Sequence, residues 1–249
     1  MDIFGWGSYN YVNQPKRVNE KIISQKIFKQ SSHNQLMKKR FEVIVFDVGG
    51  VLALGKNSIF EKGRLVPSGV HIDIARKLKI SLDQYMDAID TNYALSIEGK
   101  ISEKKVMDVF SKNLKVSKKK LKKLYIWAYQ KHFNQNKELF KQAKKLKKLG
   151  YKIAVLSDQW YLSQEALMPK KLYKSFYPVI VSCEVGTRKP NDKMYELLLK
   201  KLKVSPSKIL FIDNQLWNTR PANKFGMKTI LFKDNKQLFQ NKIWRGLFE

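Results

Sequence analysis

Val43–Phe46 is an uninterrupted apolar run, rich in β-branched residues, that stops at one acid, Asp47, and is followed by Gly49 and Gly50. Too short for a helix of its own, the run reads as a strand buried on both faces, the pattern of a parallel sheet. A carboxylate at the C-terminal end of such a strand lies where open α/β sheets place their ligands. The two glycines let the backbone turn sharply and approach a bound group. Read alone, Asp47 is either a nucleophile or an acid that caps a turn after a core strand.

Further along, the same kind of run recurs between helical patterns. Lys152–Ser157 is a strand ending in a hydroxyl, Val179–Ser182 another, Ile209–Asp213 one ending in an acid, and Lys228–Phe232 a fifth. Helices are expected between them: one carrying Leu139, Ala143, Leu146 and Leu149 and closed by Gly150, a segment 164–176 interrupted at Pro169, Asn191–Leu202, and a short one at Ala222–Phe225. This alternation predicts an α/β fold with a doubly wound parallel sheet. Between the first two strands the period changes. After a loop from Lys56 to Gly69, helices are predicted at Ile72–Leu78, at Ser81–Asn92, from a Ser102 N-cap to about Leu114, and at Ser117–Phe133. The expected organisation is therefore a core of residues 41–56 and 136–249, with a small all-α insertion at 57–135. Residues 1–40 form a basic N-terminal extension, readable as a tether, a packed arm, or a stretch upstream of a natural start at Met37. The tail from Asp234, with Phe239, Trp244 and Phe248, is expected to pack back on the body.

Composition limits the remaining classes. The chain has 249 residues, enough for one sizeable domain with an insertion, and its 43% hydrophobic content excludes a disordered chain. A single cysteine, Cys183, excludes an intramolecular disulfide framework and makes a reducing cytoplasm the default expectation. His33, His71 and His132 lack zinc-ligand spacing. No apolar run is long enough for a membrane span, and no signal-peptide core is visible at the N-terminus. The net charge of +28 admits nucleic acid or an acidic surface as partner. That reading is not favoured: lysine far outnumbers arginine, and its block at Lys118–Lys123 reads as a solvated helix face.

Chemistry is expected at four strand ends, in the order Asp47, Ser157, Lys189, Asp213. Phosphoryl transfer through an aspartyl phosphate calls for such groups. It needs a carboxylate nucleophile, a hydroxyl to hold a phosphate oxygen, a lysine to offset growing charge, and a further acid for Mg²⁺, which prefers oxygen ligands.

At these positions the chain resembles the haloacid dehalogenase superfamily. Phe46-Asp-Val-Gly-Gly-Val-Leu, Val155-Leu-Ser-Asp, Arg188-Lys-Pro followed by Tyr195, and Phe211-Ile-Asp-Asn look like its four motifs. The helical insertion is similar to the small cap of the subfamily I phosphatases. Gly99-Lys-Ile-Ser-Glu resembles a cap segment of the group that includes sugar-phosphate phosphatases and the epoxide-hydrolase N-terminal domain. The resemblance implies a Mg²⁺-dependent phosphatase acting on a small phosphorylated metabolite, with Asp47 as nucleophile. Mg²⁺ would take Asp47, the Gly49 carbonyl, Asp213 and Asn214. Phosphate would take Ser157 and Lys189, with Asp158, Gly49 and Gly50 around it. Lys189 and its surroundings favour phosphate over a halogenated substrate.

Three positions depart from the family pattern. Gly49 stands where relatives usually carry a second aspartate that protonates the leaving group, although relatives with glycine there include active phosphatases. Asn214 replaces an acid that is often a direct metal ligand. Asp158 replaces the usual asparagine and adds charge, its side chain either turned away or restoring metal affinity. The second reading is thus a catalytically impaired binding or regulatory protein on the same fold.

Overall fold

The computed structural model describes residues 39–56 and 69–249, together with the two short strands Phe60–Glu61 and Arg64–Leu65. The chain divides into the units Met1–Lys39 and Arg40–Glu249; the fold described is that of the second. The basic extension of residues 1–38 lies outside the described residues.

Five strands, β1 (Val43–Phe46), β6 (Lys152–Ser157), β7 (Val179–Val181), β8 (Ile209–Asp213) and β9 (Lys228–Leu231), make one parallel sheet in the order β7-β6-β1-β8-β9. Strand periodicity explains why β1 has no polar residue. Ile44 and Phe46 enter one core layer with Val155 and Ile212, whereas Val43 and Val45 enter the opposite layer with Met194, Tyr195 and Leu198. All four are fully buried, each contributing about 1.5–3 kcal/mol. The chain steps from β1 outward through β6 and β7, then crosses to the other side of β1 for β8 and β9. The crevice where the winding reverses, between the C-terminal ends of β1 and β8, therefore opens beside Asp47.

The helices between β1 and β6 are Val70–Leu78, Leu82–Ile97, Glu103–Asn113, Lys118–His132 and, after the insertion, Lys137–Lys148. Ser81, Ser102 and Ser117 cap three of them through side-chain bonds to the third residue on, the first two as their sequence positions led one to expect. The second runs past Asn92 because Ala94–Ile97 continue it, and it stops only at Gly99, where φ is +67°. The block is not purely helical. Ala53–Gly55 (β2) pairs antiparallel with Phe133–Gln135 (β5), and Phe60–Glu61 (β3) with Arg64–Leu65 (β4). These runs of two or three residues are below what periodicity can detect. Through β2 and β5 the chain leaves and re-enters the core as a paired ribbon. Its anchors are Asn136 N–H on the Leu52 carbonyl at 2.8 Å and the Asn136 side-chain amide on the Val51 carbonyl at 2.9 Å. The ribbon starts directly behind the Asp47 loop.

The lysines of the Lys118–Lys123 block are exposed, with Leu121 alone turned inward. Behind the sheet, Trp244 is buried edge-on to Phe46, ring centroids 6.2 Å apart, so the tail packs on the body. Among the described residues no helix is long and apolar enough to cross a membrane.

Candidate active site

Asp47 extends β1 by one residue, its N–H bonded to the Ile212 carbonyl at 2.9 Å. A tight loop follows, closed by Gly50 N–H on the Ala53 carbonyl and Ala53 N–H on the Val48 carbonyl, both 2.8 Å. Gly50 sits at φ +80°, and a Cβ there would lie 2.9 Å from Asn214 Cγ. Glycine is thus required twice, by backbone conformation and by close approach. Gly50→Ala is expected to cost about 1–3 kcal/mol of stability from the left-handed conformation alone. Urea unfolding would read this loss, and a variant as stable as the parent would refute the tight fit against Asn214.

Ser157 ends β6, fully buried, and its Oγ accepts from Gln159 Nε2 at 3.3 Å. Gln159 is itself held at the backbone, donating to Ser182 Oγ at 3.0 Å and accepting from it at 3.1 Å. Its amide also lies over Gly49, where a Cβ would come within 3.8 Å of Nε2. The position that lacks the family's second acid therefore faces an amide that neither takes nor gives a proton at ordinary pH.

Lys189 is not at a strand end, contrary to the sequence expectation. The strand β7 stops at Val181, a single helical turn Ser182–Val185 follows, and Lys189 stands in the loop before the helix Asp192–Leu202. From there it reaches back under the sheet tips. Its Nζ lies 2.7 Å from Asp213 Oδ2, 3.0 Å from Asp47 Oδ1, and donates to the Leu156 carbonyl at 3.1 Å. Three of the four expected groups thus meet at one ammonium, beside Ser157.

Asp158 is turned away from this centre at one oxygen, Oδ1 accepting from the Lys189 backbone N–H at 3.0 Å. It anchors the lysine loop, a structural use for the extra charge. Asp213, fully buried, accepts from Gln215 N–H at 2.7 Å and from Asn218 Nδ2 at 3.1 and 3.2 Å. Asn218 was not anticipated from the sequence. Tyr195 bonds its carbonyl at 2.8 Å, so the tyrosine that follows Lys189 orients the partner of Asp213. The sequence spacing from Asp213 to the next helix was the one available signal.

Burial pushes the Asp47 carboxyl up to about 7; Lys189 opposes this, while Asp213 and Asp158 add to it. Burial alone would lower Lys189, but Asp213, Asp47 and Asp158 outweigh it and keep the ammonium charged. Two buried carboxylates, Asp47 and Asp213, share one ammonium, with the half-buried Asp158 close by, a surplus of negative charge that a cation would relieve. No cluster of three or more His, Cys, Asp or Glu suited to a metal occurs among the described residues. Oxygen donors of other kinds are present, however. Asp47 Oδ1, close to Lys189 without an aligned hydrogen bond, and Asn214 Oδ1 are both buried and lack hydrogen-bond partners. A carboxylate and an amide oxygen fit Mg²⁺, which is often held by one or two carboxylates with water completing its shell.

The haloacid dehalogenase-like hydrolase family model matches residues 41–226, which span all of these groups. The chain belongs to that family. Among curated proteins this HAD-like hydrolase is similar to bifunctional epoxide hydrolase 2 of Rattus norvegicus, 33% identical over 104 residues, which are 40% of this chain and 19% of that one. It is also similar to glyceraldehyde 3-phosphate phosphatase of Pyrococcus furiosus, 31% identical over 94 residues, 37% of this chain and 39% of the relative. The match thus spans well under half the length of either relative. Of solved structures, a HAD-like hydrolase from Porphyromonas gingivalis superposes with a TM-score of 0.65 at 20% identity, covering 85% of this chain and 100% of that one. A Bacteroides thetaiotaomicron HAD enzyme, crystallised with magnesium and inorganic phosphate, gives 0.63 at 18% identity, covering 80% and 100%. At such identities the likeness is one of fold.

Proposed function

We propose that this chain is a Mg²⁺-dependent phosphatase that hydrolyses a small phosphorylated metabolite through an aspartyl phosphate on Asp47. The observation that carries the reading is the junction of Asp47, Asp213 and Lys189 within 3.0 Å of one ammonium, at the crevice where the sheet reverses its winding. Named relatives that are phosphatases support it. Residues 57–135 act as the cap over a core of residues 41–56 and 136–249.

In this reading an Asp47 carboxylate oxygen attacks phosphorus, and the bond from phosphorus to the leaving oxygen breaks. Ser157 and Lys189 hold the phosphoryl oxygens, and Lys189 offsets charge that grows on them. Water then attacks phosphorus, the bond to Asp47 breaks, and inorganic phosphate leaves with the carboxylate restored. Asp47, the Gly49 carbonyl, Asp213 and Asn214 would hold Mg²⁺. The ion would screen the phosphoryl charge and favour the ionised form of Asp47. Asn218 and Tyr195 keep Asp213 oriented. The exposed lysines contribute a positive field that draws anionic substrates in.

Phosphate release from acetyl phosphate and phenyl phosphate, with Mg²⁺ and with a chelator, tests the proposal. Turnover is expected only with the metal. Folded protein that releases no phosphate from either compound would favour the second reading, a binding or regulatory module, for which Gly49 and Asn214 speak.

Gly49 offers a sharper measurement. Its φ is not in the left-handed region and a Cβ meets only ordinary contact, so Gly49→Asp is expected to fold. By restoring an acid next to the leaving group it should raise hydrolysis of alkyl phosphates by about 10²-fold. No gain in kcat would mean that another group already supplies the proton.

A further inference from the structure

A cavity of about 230 Å³ begins at Gly49, two residues from Asp47, and runs between the core and the helical block. Its apolar wall is Val70, Ile97, Phe133 and Leu167. Each polar side chain that lines it has at least one atom bonded to protein. Tyr93 and Tyr129 share a hydroxyl contact at 3.2 Å, and Trp160 Nε1 donates to Tyr129 Oη at 2.8 Å. Ser163 Oγ bonds the Trp160 backbone in both directions, at 3.1 and 3.0 Å. His71 Nδ1 is 3.1 Å from Tyr85 Oη, Asp158 holds the Lys189 N–H, and Gln159 Nε2 holds Ser157.

A leaving group with several hydroxyls would exchange water for a wall with few free hydrogen-bonding atoms. Each hydroxyl left unpaired carries a desolvation cost. A flat apolar ring loses nothing there. An enclosed apolar cavity of about 150 Å³ is enough to take benzene, so this one accommodates a substituted ring.

Gly49 has no side chain and the amide of Gln159 stands over it. Burial also holds His71 down at about 4, so it is neutral near pH 7. With Asp158 bonded at one oxygen to the Lys189 loop and no acid at the Gly49 position, the site favours an alcohol that is stable as its anion.

Resting on the phosphatase reading, we propose that the substrate is the phosphate monoester of a small apolar, acidic alcohol of phenol or enol type, whose ring fills the Gly49–Trp160 cavity. Asp47 displaces the phenolate or enolate, the electron pair of the broken P–O bond stays on that oxygen, and water protonates it outside.

The test compares phenyl phosphate, glycerol 3-phosphate, glyceraldehyde 3-phosphate and acetyl phosphate with the Mg²⁺-loaded protein. Phenyl phosphate should exceed glycerol 3-phosphate and glyceraldehyde 3-phosphate in kcat/KM by about 10²-fold. Ile97→Phe, which narrows the cavity, should lower the ratio of phenyl to acetyl phosphate turnover about tenfold. Should that variant fail to fold, Val70→Ala enlarges the same wall and should improve 1-naphthyl phosphate relative to phenyl phosphate. Calorimetric binding of phenylphosphonate against methylphosphonate gives a readout without turnover, with about tenfold tighter binding expected for the ring compound. If acetyl phosphate is hydrolysed but glycerol 3-phosphate matches phenyl phosphate, the substrate class is overturned and the phosphatase stands. If no compound is hydrolysed, the phosphatase reading and the assigned substrate fall together. Phenylphosphonate binding no tighter than methylphosphonate overturns the ring subsite as well.

Discussion

Asp47→Asn is expected to abolish phosphate release while making the metal-free protein more stable than its parent at pH 8. The first effect follows from the proposed chemistry: asparagine is isosteric but not a nucleophile, and losing a nucleophile costs about 10⁴-fold or more in kcat. The second follows from burial. In the folded protein the Asp47 carboxyl is raised to about 7 from 3.8, mainly by desolvation. A raised acid binds its proton more tightly folded than unfolded, so its contribution to stability falls as pH rises from about 4 to about 7 and is flat above. Each pH unit of difference is worth about 1.4 kcal/mol, enough to register as a shift of several degrees in Tm. The amide removes that cost, and Lys189 keeps Asp213 and the Leu156 carbonyl. Thermal unfolding in a chelator should show the gap between variant and parent widening from pH 4 to pH 7. Added Mg²⁺ should narrow it by stabilising the parent. A variant that is less stable at pH 8 would mean that the ion pair with Lys189 outweighs the burial cost.

Lys189→Met carries the largest expected loss of stability. The lysine is 1% exposed, and its ammonium is shared by Asp47 and Asp213, which are buried as well. Methionine fills most of the volume, so the change isolates the charge. Removing one partner of a buried ionic group leaves the others uncompensated, at about 3–5 kcal/mol. Here two carboxylates are left, placing the loss at the upper end. Chemical denaturation at pH 7 should show a lower midpoint with little change in slope. Turnover should fall too, since the charge that offsets the phosphoryl oxygens is gone. A pairing that can be deleted for less than about 1 kcal/mol would behave like an exposed salt bridge, contradicting the buried junction.

Some of this organisation is local and therefore readable from the chain. Val43–Phe46, Ile153–Leu156 and Ile209–Ile212 are apolar at every position, which only a strand covered on both faces tolerates, and each is followed by the residue that carries chemistry. The serine caps at Ser81 and Ser102 and the stop at Gly150 depend on a few neighbouring residues, and they stand where their patterns put them. Short pairings escaped because β2 and β5 have three residues each and are defined only by each other. Lys189 was expected at a strand tip, since nothing in Arg188-Lys-Pro distinguishes a tip from a loop that folds back beneath it.

The sequence alone determined a parallel α/β sheet, a helical insertion behind its first strand, and a set of chemically apt residues. Covalent order and side-chain period suffice for those properties. Only the tertiary structure decided which of these residues meet. Lys189 reaches Asp47 and Asp213 across the sheet, Asp158 is committed to the lysine loop, and Gln159 stands over Gly49. Those contacts join residues from separate strands and loops, and they depend on sheet order and loop path, which a one-dimensional pattern does not carry.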